Sequence, residues 1–384
     1  MNNTSKKFLV VLLALLVFSL ITPVAAGTTW YVDDDGGSDF TSIQDAVDAS
    51  STGDTIIVRD GTYYENVDVN KSITLKSENG ATNCIIDADG SGTAINLSVD
   101  AITVDGFSIM NANIGLSTKT DDNVIKNNEL NNHRWGVHIG EMNDPSSDNS
   151  IINNKISQCE DGIFLGWDCV YTLIKDNTIS ENGGGIASTQ NGFTTITGNT
   201  IIDNSDGIWF YNCYGLPKVT HNLISDNKNY GIYAGGDDDG PISIQDNTIK
   251  SNGRGIYLDN SEGSEIIGND ISGNGYGVYM GGFAGANVIK DNLIVGNTEY
   301  GLFFIDDEAI LNQIYNNYFS NLNNAFDDGT NTWNIEKTPG TNIIGGPYLG
   351  GNFWSDYTGE DTDFDGLGDT MIPYNADGYI TNGD

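Results

Sequence analysis

Between residues 123 and 329 the apolar positions fall into short alternating runs broken by Asn, Asp and Gly, and no window holds a 3.6-residue stripe. Alternation predicts strands whose successive side chains face opposite ways. The runs also repeat. "NVIKNNELNNHRWGVHIG" (123–140) aligns with "ISIQDNTIKSNGRGIYLD" (242–259) and "SEIIGNDISGNGYGVYMG" (264–281), and nine such units follow one another. The asparagines before the second apolar run, Asn128, Asn154, Asn177, Asn199, Asn222, Asn247, Asn269, Asn292 and Asn317, recur every 22 to 26 residues.

A repeat of this length without a helical stripe excludes helical solenoids, and the leucine-rich framework is absent. What remains is an all-β, right-handed single-stranded parallel β-helix of about a dozen coils. Each strand then pairs with its equivalent one coil on, about 4.8 Å away. The recurring asparagines are expected to stack as an internal hydrogen-bonded ladder. Segments 53–67, 71–80 and 101–118 fit as earlier, looser coils.

An open stack exposes two sheet ends, which require caps. "FTSIQDAVDAS" (40–50) supplies an N-terminal helical cap, with Thr41 and Gln44 read as a capping-box pair and Ile43, Ala46 and Val47 as its apolar face. From about Gly345 the repeat lapses into an irregular tail. The expected organisation is therefore a signal peptide (1–26), a cap and first coil (27–70), β-helix repeats (71–344) and the tail (345–384). The signal peptide is read from Lys6 and Lys7, the apolar run from Phe8 to Ile21 and the small residues up to Ala26.

Charge narrows the partners. The formal net charge is -37, with 16 Lys plus Arg against 53 Asp plus Glu. Nucleic acid and anionic membranes need positive patches and are poor partners, and no spanning segment is expected after signal cleavage. The acidity serves solubility in a salty medium, or attracts cations such as calcium. Cys84, Cys159, Cys169 and Cys213 show no framework spacing and read as buried thiols. Asn70 and Asn96 open N-x-S/T sequons.

In the tail, "DTDFDGLGD" sets Asp361, Asp363, Asp365 and Asp369 at loop positions 1, 3, 5 and 9, with Gly366 at the sharp turn and the Leu367 carbonyl at position 7. Those are the oxygen ligands of a calcium loop. Ile372 stands at position 12, where an EF-hand has glutamate, so a shortened loop is the closer comparison, with Asp377 or Asp356 completing the shell.

Outside the coils, one column runs along the strands after the repeat glycine. Its members are His138, Phe164, Ala187, Trp209, Tyr233, Tyr257, Tyr279 and Phe303, each flanked by inward apolar residues and therefore facing outward. Three readings stand: the rings stack on one another, they form a platform for sugar rings, or they make a protein interface. Asp237, Asp238, Asp239, Asp259, Glu262, Asp306, Asp307 and Glu308 follow as an acidic rim. Arg254, between Tyr230 and Tyr276 of neighbouring coils, is either a lyase-type base or a cation packed on those rings.

The opening "WYVDDDGGSDFTSIQDAVDAS" with "GDTIIVRDGTYYENV", the N-x-I-x-x-N-x-x-G-I coils and the tail "GGNFWSDYTGEDTDFDGLGD" together resemble the NosD-like parallel β-helix proteins. That resemblance implies an exported protein. It also brings in copper, because the founding members assist copper-site assembly, while related β-helix groups include carbohydrate-binding surface proteins, polysaccharide lyases and hydrolases. The soft ligands here are His133 stacked over Cys159, then His138 and Met142. The expected function is a secreted or cell-surface module, non-catalytic, that engages glycan or a surface protein through Phe164, Trp209, Tyr233, Tyr257, Tyr279 and Phe303. The alternatives are a lyase or glycoside hydrolase for acidic polysaccharide, and a copper-handling accessory protein.

Overall fold

The computed structural model describes residues 27–142, 144–236, 240–305 and 307–384, so the signal-peptide segment lies outside the described residues. The described chain is a right-handed parallel β-helix of about 13 turns. Each coil lays down three short strands, and stacking them builds three parallel sheets of 13, 13 and 12 strands. In one repeat these are Val124–Lys126, Glu129–Asn131 and Trp135–Ile139. We call the corresponding sheets first, second and third.

Each strand sends its middle residue inward, and β-branched side chains suit that position because their stiff χ1 packs well on a pleated surface. Ile151, Ile174 and Ile196 stack in the first sheet, Ile156, Ile179 and Ile201 in the second, and Ile163, Ile186 and Ile208 in the third, all fully buried. The repeat glycine has a separate cause. A Cβ on Gly231 would lie 2.6 Å from the carbonyl oxygen of Gly255 in the next coil, so only glycine lets the coils close at this corner.

The expected asparagine ladder is present. From Asn128 to Asn317 and on to Asn352, each backbone N–H and each side-chain amide donates to the Oδ1 of the asparagine one coil further on. A second ladder, which the spacing argument did not pick out, runs from Asn182 through Asn204, Asn227, Asn252, Asn274 and Asn297 to Asn321. These amides satisfy buried backbone donors at turns that have no strand partner.

The helix Ile43–Ala49 covers one end of the core with Ile43, Ala46 and Val47 buried, as expected. Its capping differs from the Thr41/Gln44 pair. Ser42 is the N-cap and accepts from the Asp45 N–H, while the Glu65 carboxylate takes the N–H groups of Ile43 and Gln44 at 2.8 and 2.9 Å. A carboxylate from the next coil has replaced the local box. At the other end Trp333 and Trp354 close the core, and Phe353–Trp354 rejoins the second sheet beside Tyr318–Ser320. The tail is thus partly a last coil. All four cysteines are buried, and among the described residues no helix is long and apolar enough to cross a membrane.

Candidate functional site

The outward column lies on the third sheet in the expected register: His138, Phe164, Ala187, Trp209, Tyr233, Tyr257, Tyr279 and Phe303 are successive partners, and Phe326 extends it by one coil. Facing outward does not make it exposed. Ring centroids from Trp209 to Phe326 follow one another at 4.1, 5.3, 4.9, 5.3 and 5.2 Å, and Tyr233 and Tyr279 are only 8% and 7% exposed. Most of this column spends its ring faces on its neighbours.

A parallel row flanks it, with Trp135, Asp161, Gly184, Asp206, Tyr230, Arg254, Tyr276 and Tyr300 in register. The Arg254 guanidinium sits 4.5 Å from the Tyr279 ring centre and between 5.5 and 5.8 Å from those of Tyr257, Tyr230 and Tyr276. Four electron-rich rings cage it, the packing expected of a cation on aromatic faces.

Both rows break in the same coil, where Gly184 and Ala187 carry no ring and remain half-exposed. Phe164 stands on one side, backed by Trp135 stacked at 4.9 Å. Trp209 stands on the other, followed on the same strand by Tyr211, which is exposed. Asp161 and Asp206 bracket Gly184. A Cβ on Gly184 would strike Asp161 Oδ1, so that carboxylate leans over the gap floor. Burial pushes the Asp161 carboxyl up to about 6, with the nearby Glu160 and Asp206 charges adding to the rise and the Trp135 hydrogen bond and Arg134 opposing it. Burial raises Asp206 as well, against hydrogen bonds from the Asn229 side chain and the Tyr230 backbone, and its Oδ1 is enclosed.

The turns that leave the third sheet in these same coils expose a set of rings that sequence reasoning missed. Tyr171 and Phe193 stack at 4.9 Å and are 54% and 44% exposed; Tyr214, 38% exposed, lies over Gly192, where a Cβ would meet its ring at 2.5 Å. Trp167, earlier in the same turn as Tyr171, is exposed as well. A parallel bridge series, Val170 to Gly192 to Tyr214, aligns the three turns. Alternation assigns no facing inside turns of unequal length, so the spacing of aromatic residues was the one available signal.

The acidic rim is scattered. Asp237, Asp238, Asp239 and Asp306 lie outside the described residues; Glu262, Asp307 and Glu308 are exposed, and Asp259 accepts from the Tyr233 hydroxyl at 3.2 Å.

In the tail, oxygens of Asp361, Asp363 and Asp369 lie within 4.8 Å of one another, which is the one such group of three among the described residues. The loop wraps tightly, with the Gly366 N–H donating to Asp361 at 2.8 Å and the Thr362 N–H to Asp369 at 2.7 Å. Bonds from Thr362 hold the Asp369 carboxyl below its usual range. Asp365 differs from the expected ligand set because it pairs with Lys337. The Leu367 N–H donates to Asp365 at 2.9 Å. Asp356 accepts from Asn324 and Tyr374, and the side chain of Asp377 lies outside the described residues. Below the loop a cavity of about 430 Å³ is lined by Trp354, Tyr357, Tyr374 and Asp384. Trp354 Nε1 donates to Asp384 at 2.7 Å, and burial raises that carboxyl to about 6.

The soft-ligand set is dispersed. Both ring nitrogens of His133 face backbone carbonyls, those of Ala112 and Ile109 at 2.9 and 3.0 Å. Cys159 follows it in the second asparagine ladder, where its N–H donates to Asn182. His138 packs outside on Trp135 and Phe164, and Met142 is exposed. Burial lowers the pKa of both histidines, against backbone hydrogen bonds that favour the charged ring. These four residues do not converge on one point, and no copper step follows from their arrangement.

Comparison with known proteins places the fold. The chain is 30% identical to a cell surface glycoprotein of Methanothermus fervidus over 91% of its own length, and it spans 56% of that relative. Among solved structures it is similar in fold to the A-module of the Azotobacter vinelandii mannuronan C-5 epimerase AlgE4, with 17% identity and a TM-score of 0.62 over 79% of this chain and 97% of that one. A GH136 lacto-N-biosidase from Eubacterium ramulus gives 14% identity and 0.54, over 79% and 67%. At these identities the likeness is one of fold. A model described as NosD, periplasmic copper-binding protein, matches residues 47–242, 140–284 and 241–359, so nearly every coil falls under it and the chain belongs to the NosD family.

Proposed function

We propose that this chain is a cell-surface module that binds extracellular polysaccharide through the aromatic surface of coils 161–216. The observation that carries this reading is the exposed ring set Trp167, Tyr171, Phe193, Tyr211 and Tyr214, crowded into three successive coils of a strongly acidic chain. Exposed aromatic rings gathered on one part of a surface mark a contact site. Sugar rings suit it because their axial C–H bonds pack on the electron-rich face of an aromatic ring without needing opposite charge. The relative's designation as a cell surface glycoprotein supports the location. The test is a glycan-binding panel on the wild type and on Tyr171→Ala/Phe193→Ala. Binding reduced at least tenfold in the variant, at unchanged melting temperature, is expected; a wild type that binds no glycan contradicts it.

A second reading, hydrolysis of the bound glycan, is favoured by Asp161 and Asp206, two carboxyls raised by burial on either side of Gly184. A raised carboxyl is suited to act as general acid beside an ionised partner. Release of new reducing ends, lost in Asp161→Asn, supports hydrolysis; intact polysaccharide after prolonged incubation leaves binding alone.

The tail loop is proposed to take calcium. Asp361, Asp363 and Asp369 supply converging hard oxygens, and Asp365 joins them once calcium displaces Lys337 from its carboxylate. The Leu367 carbonyl is the fifth protein ligand of this reading. The ion would hold the tail against the last coils and supplies no chemistry to the aromatic surface.

A further inference from the structure

We propose that the break at Ala187 in the outer aromatic column seats one uncharged pyranose ring, sandwiched between Phe164 and Trp209, with Asp161 and Asp206 accepting from its hydroxyls. This rests on the glycan-binding reading and names the ligand class and the seat.

The width of the break is set by the fold. His138 and Phe164, on one side of it, are 5.5 Å apart, and the rings beyond Trp209 follow at similar steps, so the column elsewhere is filled. The strands that carry Phe164 and Trp209 are separated by one whole coil, which is two strand spacings or about 9.6 Å. A flat ring in van der Waals contact with both walls needs only about 7–8 Å. A saturated ring is thicker, because its axial hydrogens project from both faces. Centred about 4.8 Å from each wall, a pyranose fills the space that a planar group leaves loose.

The floor and one edge select further. Gly184 and Ala187 present no side chain beyond a methyl, so the ring meets no obstruction below. At the edge, Asp161 leans over Gly184, and the half-buried Asp206 carboxyl stands in register on its other side. Two carboxylates and a net charge of -37 repel a uronate. Both faces touch rings, so both must be free of oxygen. Equatorial hydroxyls meet that condition, and an axial hydroxyl pushes one wall away. The remaining residues of the glycan then run out over Tyr211 and toward the exposed rings of Phe193 and Tyr214.

The experiment compares cellohexaose, mannohexaose and hexagalacturonate by isothermal titration against the wild type, Ala187→Phe and Ala187→Leu. Both substitutions fill the break, and the phenylalanine completes the column. The wild type is expected to bind cellohexaose at least tenfold more tightly than the other two. Both filled variants are expected to lose that binding at least tenfold while melting at or above the wild-type temperature; the leucine variant decides the matter if the phenylalanine variant folds poorly. Filled variants that bind as the wild type does, when Tyr171→Ala/Phe193→Ala does not, overturn this seat and leave the glycan reading standing. Equal or tighter binding of mannohexaose or hexagalacturonate overturns the ligand class. A wild type that binds none of the three, yet binds another glycan in the panel, also overturns this inference alone; one that binds no glycan at all overturns both.

Discussion

Asn222 donates both its backbone N–H and its side-chain amide to the single Oδ1 of Asn247, each at 3.0 Å, while its own Oδ1 receives the same pair from Asn199. Asn222→Ala therefore strands the buried backbone N–H of Asn199, whose side-chain amide keeps the Ile174 and Thr197 carbonyls. At about 1–3 kcal/mol for a buried group left unpaired, the loss is about 1–3 kcal/mol. Chemical denaturation of the variant is the check, and a loss below about 1 kcal/mol contradicts the ladder's energetic role.

That ladder was legible because its asparagines keep one position in every unit, and the three sheets follow from it. The second ladder was harder to see because its first two places hold His133 and Cys159 instead of asparagine. The outward column was legible in direction and not in coverage. Alternation says which way Tyr233 points, whereas its burial depends on how Trp209 and Tyr257 tilt across it. Tyr171, Phe193 and Tyr214 sit in turns, where no period fixes facing. The convergence of Asp361, Asp363 and Asp369 was legible by spacing, but the pairing of Asp365 with Lys337 joins residues from separate segments of the tail, which spacing does not reveal.

Cys159 interrupts the second ladder, so restoring it is expected to stabilise the protein. In Cys159→Asn the new amide reaches the Asn182 Oδ1 that already accepts the backbone N–H of residue 159 at 2.9 Å, and the new oxygen serves the backbone of His133. The gain is about 1 kcal/mol, read as a higher denaturation midpoint. A destabilised variant shows instead that the thiol's volume matters more than its hydrogen bonds.

Asp161 makes stability depend on pH with a definite sign. Its carboxyl stands at about 6 when folded against a reference value of 3.8, so folding opposes its ionisation. The advantage of the protonated form is whole below about pH 4 and is lost as pH rises through about 6. Relative to Asp161→Asn, the wild type is expected to lose stability across that window. The difference is modest because the group is partly open to solvent. Parallel stability curves for the two proteins contradict the assignment.

Calcium is expected to raise the melting temperature of the wild type by a few degrees, reversibly on chelation, and to leave Asp363→Ala unmoved. Lys337→Ala removes the lysine that competes for Asp365 and is expected to bind calcium more tightly than the wild type. A calcium response that survives Asp363→Ala places the ion elsewhere.

The most direct measurement is an experimental structure of the protein with cellohexaose bound. The expected result is a pyranose ring between Phe164 and Trp209, above Ala187, with its hydroxyls on Asp161 and Asp206 and the remainder of the chain along the exposed rings of coils 161–216. A glycan held away from those coils, with the break at Ala187 vacant in the saturated complex, contradicts it.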